Sequence, residues 1–263
     1  MTMMKSRRVL MLAFLSSALL ATGTASAAEA PARAAKKTLL VIGATGGTGR
    51  EVVRQAQARG YKVRALVRDE GKARTQLGEQ IEYVVGDVRT GAGLVAAVKG
   101  ADYVISALGS NVRNDPENTP ERVDYGGVKA LAEAAAAARV QHFVLVSSMG
   151  VTHEDHPLNK MFGNILVWKL KGENALRASG VPYTIVRPGG LSNSPGGISG
   201  VKSFQGDDLR NSGRIPRADV ATVCLAALGE PAARSKTFEL LSDESTKSTD
   251  LAALFAGLAA DAR

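Results

Sequence analysis

The sequence predicts an α/β fold, a doubly wound parallel sheet with helices on both faces. Three observations carry this. Six short runs rich in Val, Ile and Leu recur along the chain: TLLVIG (38–43), KVRALV (62–67), IEYVV (81–85), DYVISA (102–107), HFVLVS (142–147) and PYTIVR (182–187). Their apolar character is continuous, which fits strands covered on both faces. Helical patterns lie between them at 47–59, 92–98, 123–138 and 164–179, and such alternation is the signature of a parallel sheet. Finally, the Gly- and Ser-rich turns fall after the strands, at the carboxyl ends where such sheets bind ligands.

The segment before the first strand has its own pattern. Lys5, Arg7 and Arg8 precede an uncharged, mostly apolar run from Val9 to Leu20, and the small residues Ala25, Ser26, Ala27 and Ala28 precede Glu29. That order predicts an export signal over 1–28, leaving a periplasmic or secreted protein after cleavage. The apolar run is too short to span a bilayer and nothing later stops transfer, so no membrane association is expected of the mature form. Ser6-Arg7-Arg8-Val9-Leu10-Met11 resembles a twin-arginine signal, a receptor-read address whose pathway carries folded proteins, often with cofactor bound. An ordinary secretory signal holding two arginines is the alternative. Residues 29–37 (EAPARAAKK) read as a flexible lead-in, and 38–263 as one domain with a substantial core.

Charge narrows the partners. The chain has 33 Lys and Arg against 25 Asp and Glu, a net +8; without the three cations of the signal it is +5. These cations are scattered, with no basic block and little aromatic interleaving, so a small-molecule substrate is expected and a nucleic acid is not. Cys224 is the only cysteine. It cannot form an internal disulfide, and in VATVCLAAL it reads as a small buried hydrophobe.

The first strand runs into Gly43, Gly46 and Gly49, a G-x-x-G-x-x-G loop that opens the helix at 47–59. Glycines allow the tight turn and the approach of a pyrophosphate, and the amides at the helix start face its charge. Gly43, Thr45, Gly46, Gly47, Thr48 and Gly49 are therefore candidate cofactor ligands. The second strand ends in Arg68, with Asp69 beyond it and Lys72 nearby. An NAD site usually carries an acidic residue there. A cation suits the 2′-phosphate of NADP, so NADP is expected over NAD, with Arg50 as a possible helper. The third strand ends in Gly86-Asp87-Val88, where Asp87 is placed to accept from an adenine amino group. The fourth ends in Ala107-Leu108-Gly109-Ser110, a small-residue turn beside the cofactor. The fifth ends in Ser147 and Ser148, candidate hydrogen-bond partners of substrate or nicotinamide. The helices at 123–138 and 164–179 are rich in good helix formers.

Together these pieces resemble the atypical short-chain dehydrogenase/reductase family, in its NAD(P)-binding, NmrA-like branch. The resemblance runs from Thr38 to Leu241 and is most specific in GNILVWKLKGENALRASGVPYTIVRPGGL (163–191), which looks like the family's active-site helix, a strand and an Arg-Pro-Gly turn. RIPRADVATVCLAAL (214–228) looks like its late helix and KTFELLS (236–242) like its final strand. The resemblance implies a Rossmann-like sheet with a small C-terminal substrate lobe. It also implies Lys169 as the catalytic lysine at the nicotinamide ribose, and Arg187, Pro188 and Gly189 flanking the nicotinamide.

One position departs from the family pattern. Its active reductases use Tyr-x-x-x-Lys, and four residues before Lys169 stands Ile165, which cannot move a proton. Tyr125 and Lys129 share the spacing, but they precede the VLVSS strand and read as neighbours on one helix face; Lys129 remains within possible reach of the cleft. His153 and His156 in THEDHP lack further ligands, so no metal is expected. Met161, Phe162 and Trp168 lie near the expected substrate mouth. The expected activity is NADPH-dependent reduction of a small quinone, flavin-like or carbonyl acceptor; a non-catalytic NADP-binding sensor or scaffold is the alternative. For the export signal, replacing Arg7 and Arg8 together by Lys is expected to block export and leave folding intact, because the receptor reads guanidinium geometry. Normal processing of the double variant in a pulse-chase would contradict the twin-arginine route.

Overall fold

The computed structural model describes residues 36–113 and 115–262; the predicted export signal lies outside them. The six apolar runs are β1 (Thr38–Ile42), β2 (Lys62–Val67), β3 (Glu82–Val85), β4 (Tyr103–Ser106), β5 (His142–Val146) and β6 (Tyr183–Pro188). They pair in parallel in the order β3-β2-β1-β4-β5-β6. The sheet continues with β10 (Lys236–Asp243), parallel to β6, and ends with β8 (Gly200–Phe204), antiparallel to β10. β7 (Gly190–Ser192) and β9 (Arg214–Pro216) pair separately. Chain order reverses between β1 and β4, and that switch point opens a crevice at the carboxyl ends of the strands.

The inner strands supply both faces of the sheet, whereas the edge strand β3 is only partly buried. Leu39 and Val41 belong to one buried cluster with Val52, Val220, Cys224 and Phe238, while Leu40 and Ile42 belong to another with Leu131, Phe143, Leu176 and Ile185. Burial on both sides is why the runs are continuously apolar. The first cluster packs α1 (Gly47–Ala58) and α7 (Arg217–Ala227) on one face; the second packs α3 (Leu94–Val98), α4 (Val128–Ala137) and α6 (Ile165–Ala178) on the other. Cys224 is fully buried, and burial pushes its thiol up to about 12, so it is packing material.

Several elements depart from the sequence reading. The helix expected over 123–138 is α-helical only from Val128; Glu121–Gly127 is a π-helical segment. The late helix expected over 214–228 starts at Arg217, because Arg214–Pro216 is taken up by pairing with β7. The charged stretch after β2 folds as α2 (Glu70–Leu77), capped by the Asp69 carboxylate accepting from the Lys72 amide at 3.0 Å. The short helices α5 (Pro157–Met161) and α8 (Leu251–Gly257) carry too few periodic positions to stand out.

The edge carrying the site is held by buried charge. Arg187, at the end of β6, donates from Nε and Nη2 to Glu173 of α6 at 2.9 and 2.6 Å, and from Nη1 to Glu239 of β10 at 3.1 Å. Arg177, one turn after Glu173, donates to it at 3.0 Å and to Asp261 at 3.3 Å. Asp261 also accepts from Tyr183 and Thr237, fastening the C-terminal segment to β6 and β10. Removing one partner of a buried pair leaves an uncompensated charge. Glu173→Gln, which keeps the shape, is therefore expected to cost about 3 kcal/mol in a urea titration; a loss below about 1 kcal/mol, the range of a surface pair, would contradict this role.

Candidate functional site

The glycine loop is shaped by backbone contact. Gly43 has φ +74, and a Cβ on it would lie 2.5 Å from the Ala107 carbonyl oxygen. A Cβ on Gly49 would lie 2.1 Å from the Gly43 oxygen, so β1 and α1 meet with no room for a side chain. The Gly46 amide donates to Gly43 at 3.0 Å, closing the turn, and α1 then starts with no side-chain cap and no acidic residue in its first turn. Such an uncapped start faces an anion readily. A Cβ on Gly47 would meet Cδ and Nε of Arg217 at 2.7 Å, while Thr48 is buried.

A cleft of about 620 Å³ opens beside this loop and runs over the switch point. Thr45 and Gly46 line it, as do Arg68, Asp69 and Lys72, then Asp87 and Val88, then Ala107, Leu108 and Gly109. The sequence reading thus converges on one crevice. Beyond Gly109, a Cβ would meet nothing within 4 Å, so this wall is open. Val88 also packs against the position of a Gly127 Cβ, at 2.8 Å, which ties the wall to the π-helical segment.

The rim after β2 and β3 is a charge cluster that the sequence reading only half found. Arg68 donates to Asp115 Oδ2 at 2.8 Å, and Arg89 donates to the same oxygen at 2.9 Å. Arg89 also grips both Asp87 oxygens, at 2.6 to 3.0 Å, and its hydrogen bonds hold the Asp87 carboxyl below the usual carboxylate range. Asp87, expected as an acceptor for adenine, lines the cleft and is gripped by Arg89. Lys72 stands at the exposed edge, 3.4 Å from Asp69. Arg89 directly follows Gly-Asp-Val, and its position was the available signal; Asp115 lies 26 residues further on.

At the other end, Lys169 donates to Asp124 Oδ1 at 2.7 Å, and the Asp124 side chain is only 1% exposed. The Ser110 amide donates to the second oxygen of Asp124 at 3.2 Å, joining the lysine to the turn after β4. A Cβ on Gly172 would lie 2.2 Å from the Asp124 carbonyl oxygen, so α6 rests directly on the π-helical backbone. Lys169 is one turn earlier on that face. Ile165 lines an adjoining pocket of about 300 Å³ with Ser110, Val112, Arg113, Pro120 and Phe162. Arg113 lies 5.9 Å from the Phe162 ring centroid. At the end of β5, Ser148 is used locally, donating to Met149 at 2.9 Å; the buried Ser147 hydroxyl has no partner among the described residues. Trp168 stacks on Tyr125 at 5.9 Å and Met161 is exposed.

Other candidates are placed elsewhere. The Arg187 guanidinium, expected at the cofactor, is 7% exposed and spent on Glu173 and Glu239, because a buried cation needs carboxylate partners more than a cleft does. Pro188 is buried, and a Cβ on Gly189 would lie 2.3 Å from Leu241, so this turn packs against β10. Lys129 is exposed and pairs with Glu133 at 3.7 Å, one turn along its own helix, instead of reaching the cleft. His156 accepts from the Leu158 amide at 3.2 Å, capping α5, and His153 bonds the Asp207 carbonyl at 2.8 Å.

These residues fit a dinucleotide. Gly43 and Gly49 leave no room for side chains of their own before an uncapped helix start, a geometry that suits a pyrophosphate; the arginine pair stands after β2 and β3, while Lys169 and the Ser147 hydroxyl, unpartnered among the described residues, stand after β4 and β5. Comparison with known proteins agrees. Residues 43–231 match the NAD(P)H-binding family. The sanguinarine reductase of Eschscholzia californica is 35% identical over 263 residues, covering 84% of this chain and 95% of that protein. A Bacillus halodurans structure of NAD-dependent epimerase/dehydratase type matches with a TM-score of 0.71 at 28% identity, over 84% of this chain and 99% of its own. An anaerobillin reductase from Escherichia coli O157:H7 matches with a TM-score of 0.66 at 25% identity, over 79% and 98%. With an isoleucine where active reductases of the wider family keep their tyrosine, the chain nonetheless belongs to the atypical short-chain dehydrogenases/reductases, in their NAD(P)H-binding, NmrA-like branch.

Proposed function

We propose that the protein is an NADPH-dependent reductase of a small conjugated acceptor, a quinone or flavin-like compound in preference to a simple carbonyl. One observation carries the reading: four residues before the anchored Lys169, where the wider family keeps its tyrosine, the side chain is Ile165, which lines the adjoining pocket and cannot give a proton. A nicotinamide supplies a hydride when bound. Lys169, steadied by Asp124, keeps further N–H donors for the ribose hydroxyls. The Ser147 hydroxyl offers a hydrogen bond to the carboxamide or to an acceptor oxygen. Ile165 and Phe162 exclude water from one wall, and Arg113 favours negative charge developing on the acceptor. Hydride addition to a simple carbonyl makes a strongly basic alkoxide that needs a positioned acid, whereas a reduced quinone or flavin is a weak base that solvent can protonate. Two relatives named as reductases support the reaction class. The alternative, an NADP-binding sensor, is favoured by the same isoleucine. In the exported form, loading of the cofactor before a twin-arginine passage would explain how it reaches its compartment.

Cofactor choice rests on Arg68 and Arg89 facing one oxyanion position at the rim. NADPH is expected to bind tighter than NADH by about tenfold to hundredfold, the worth of a charge-assisted contact. Arg68→Ala is expected to remove most of that difference in titration calorimetry; equal affinities in the wild type would overturn the NADP assignment.

Turnover is expected for a quinone or flavin series and to be poor for simple aldehydes. Lys169→Gln, which keeps a donor for Asp124, is expected to weaken NADPH binding and suppress turnover. Efficient aldehyde reduction would reveal an acid elsewhere, and tight NADPH binding with no turnover of either series would establish the sensor reading instead.

A further inference from the structure

Gly47 is the one glycine of the loop whose Cβ position is taken by a side chain of another residue and not by backbone. The space its Cβ would fill holds the Cδ and Nε of Arg217, each 2.7 Å away. Arg217 is the first residue of α7 and Gly47 the first of α1, so the guanidinium stem lies where two helices begin. Both ends carry partial positive charge from unpaired amides. A cation there is in unfavourable company, and the nearby groups do not offset it. The first turn of α1 holds no acidic residue. The first turn of α7 holds Asp219, but its Oδ1 accepts from the Gly197 amide at 2.7 Å. Among the described residues no carboxylate lies within ion-pair distance of Arg217; it donates instead to the neutral amide oxygen of Asn193, at 2.7 Å.

An anion would reverse the sign of all these terms at once. The start of α1 is where the dinucleotide pyrophosphate lies in this kind of fold. We propose that Arg217 is a pyrophosphate ligand of the cofactor, delivered across the glycine loop from the C-terminal part of the chain, and that residue 47 is glycine to let it in. The proposal rests on nicotinamide-cofactor binding but not on the choice of NADP. It makes the C-terminal segment part of the cofactor site, through a side chain 170 residues from the loop it completes.

The test is a double-mutant cycle on the full chain. Arg217→Ala is expected to weaken NADPH and NADH by the same factor, about tenfold to hundredfold, because both carry the pyrophosphate. Arg217→Gln, which keeps the stem and a donor for Asn193, should show the same loss. Gly47→Ala leaves every charge in place, but its methyl group displaces the Arg217 stem, so it should weaken both cofactors similarly. Added to Arg217→Ala it should cost nothing more. Without cofactor, the melting temperature of Arg217→Ala should not fall, since a cation has been removed from two helix starts; a merely structural strap would lower it. Unchanged affinity in Arg217→Ala, a loss confined to NADPH, additive losses in the double variant, or a lower melting temperature without cofactor would each overturn the proposal. A failure of the NADP reading appears separately, as an NADPH-to-NADH ratio near one in every variant.

Discussion

A guanidinium buried between two carboxylates holds the site-bearing edge of this sheet. Arg187 links Glu173 of α6 to Glu239 of β10, and all three are nearly or fully buried. Burial opposes the charge on Arg187, but its hydrogen bonds with Glu173 outweigh this and hold its pKa above the ordinary value; burial raises the Glu239 carboxyl. Buried ion pairs are not strongly stabilising compared with apolar packing, but they tolerate few alternative arrangements. Lys169 sits one turn before Glu173 on the same helix. Fixing Glu173 against β6 therefore also fixes Lys169, one turn away, where it meets Asp124.

Close backbone contact does the remaining positioning. Gly172 sets α6 on the Asp124 carbonyl, Gly43 sets β1 on Ala107, and Gly49 sets α1 on β1. At each point a methyl group would force the elements apart. Packing at this density transmits displacement instead of absorbing it. The surroundings of Lys169 and the glycine loop are thus defined by main chain, and the pocket around Ile165 and Phe162 is what side chains are left to shape.

What was legible in the sequence was local. The six strands, the glycine loop and Lys169 each announce themselves within a dozen residues, through apolar runs, turn chemistry or a helical register. The turn residues from Gly86 to Val88 and from Ala107 to Gly109 were legible because strand ends of a doubly wound sheet are ligand-facing whatever the side chains. What was not legible depended on distant partners. Arg187 looked available because Glu173 and Glu239 are 14 and 52 residues away. Arg89 and Asp115 are joined across 26 residues, and Asp124 meets Lys169 across 45. Arg217 carried no signal, since only the packing of α7 against α1 brings it to Gly47. The spacing of Lys129 from Tyr125 suggests reach to the cleft that its exposed helix face does not give it.

The rim of the cleft has a further consequence. Two arginines drawn together in one place repel unless something negative accompanies them, and here the chain carries its own counter-ion, Asp115. An anion arriving at Arg68 and Arg89 would have to compete with a carboxylate already there. The segment bearing Asp115 is closed on itself by bonds from the Asn111 amide to Asn118 and from the Asp115 amide to Asn111. An anion that displaced Asp115 from Arg68 and Arg89 would therefore be linked to the position of the segment that carries it.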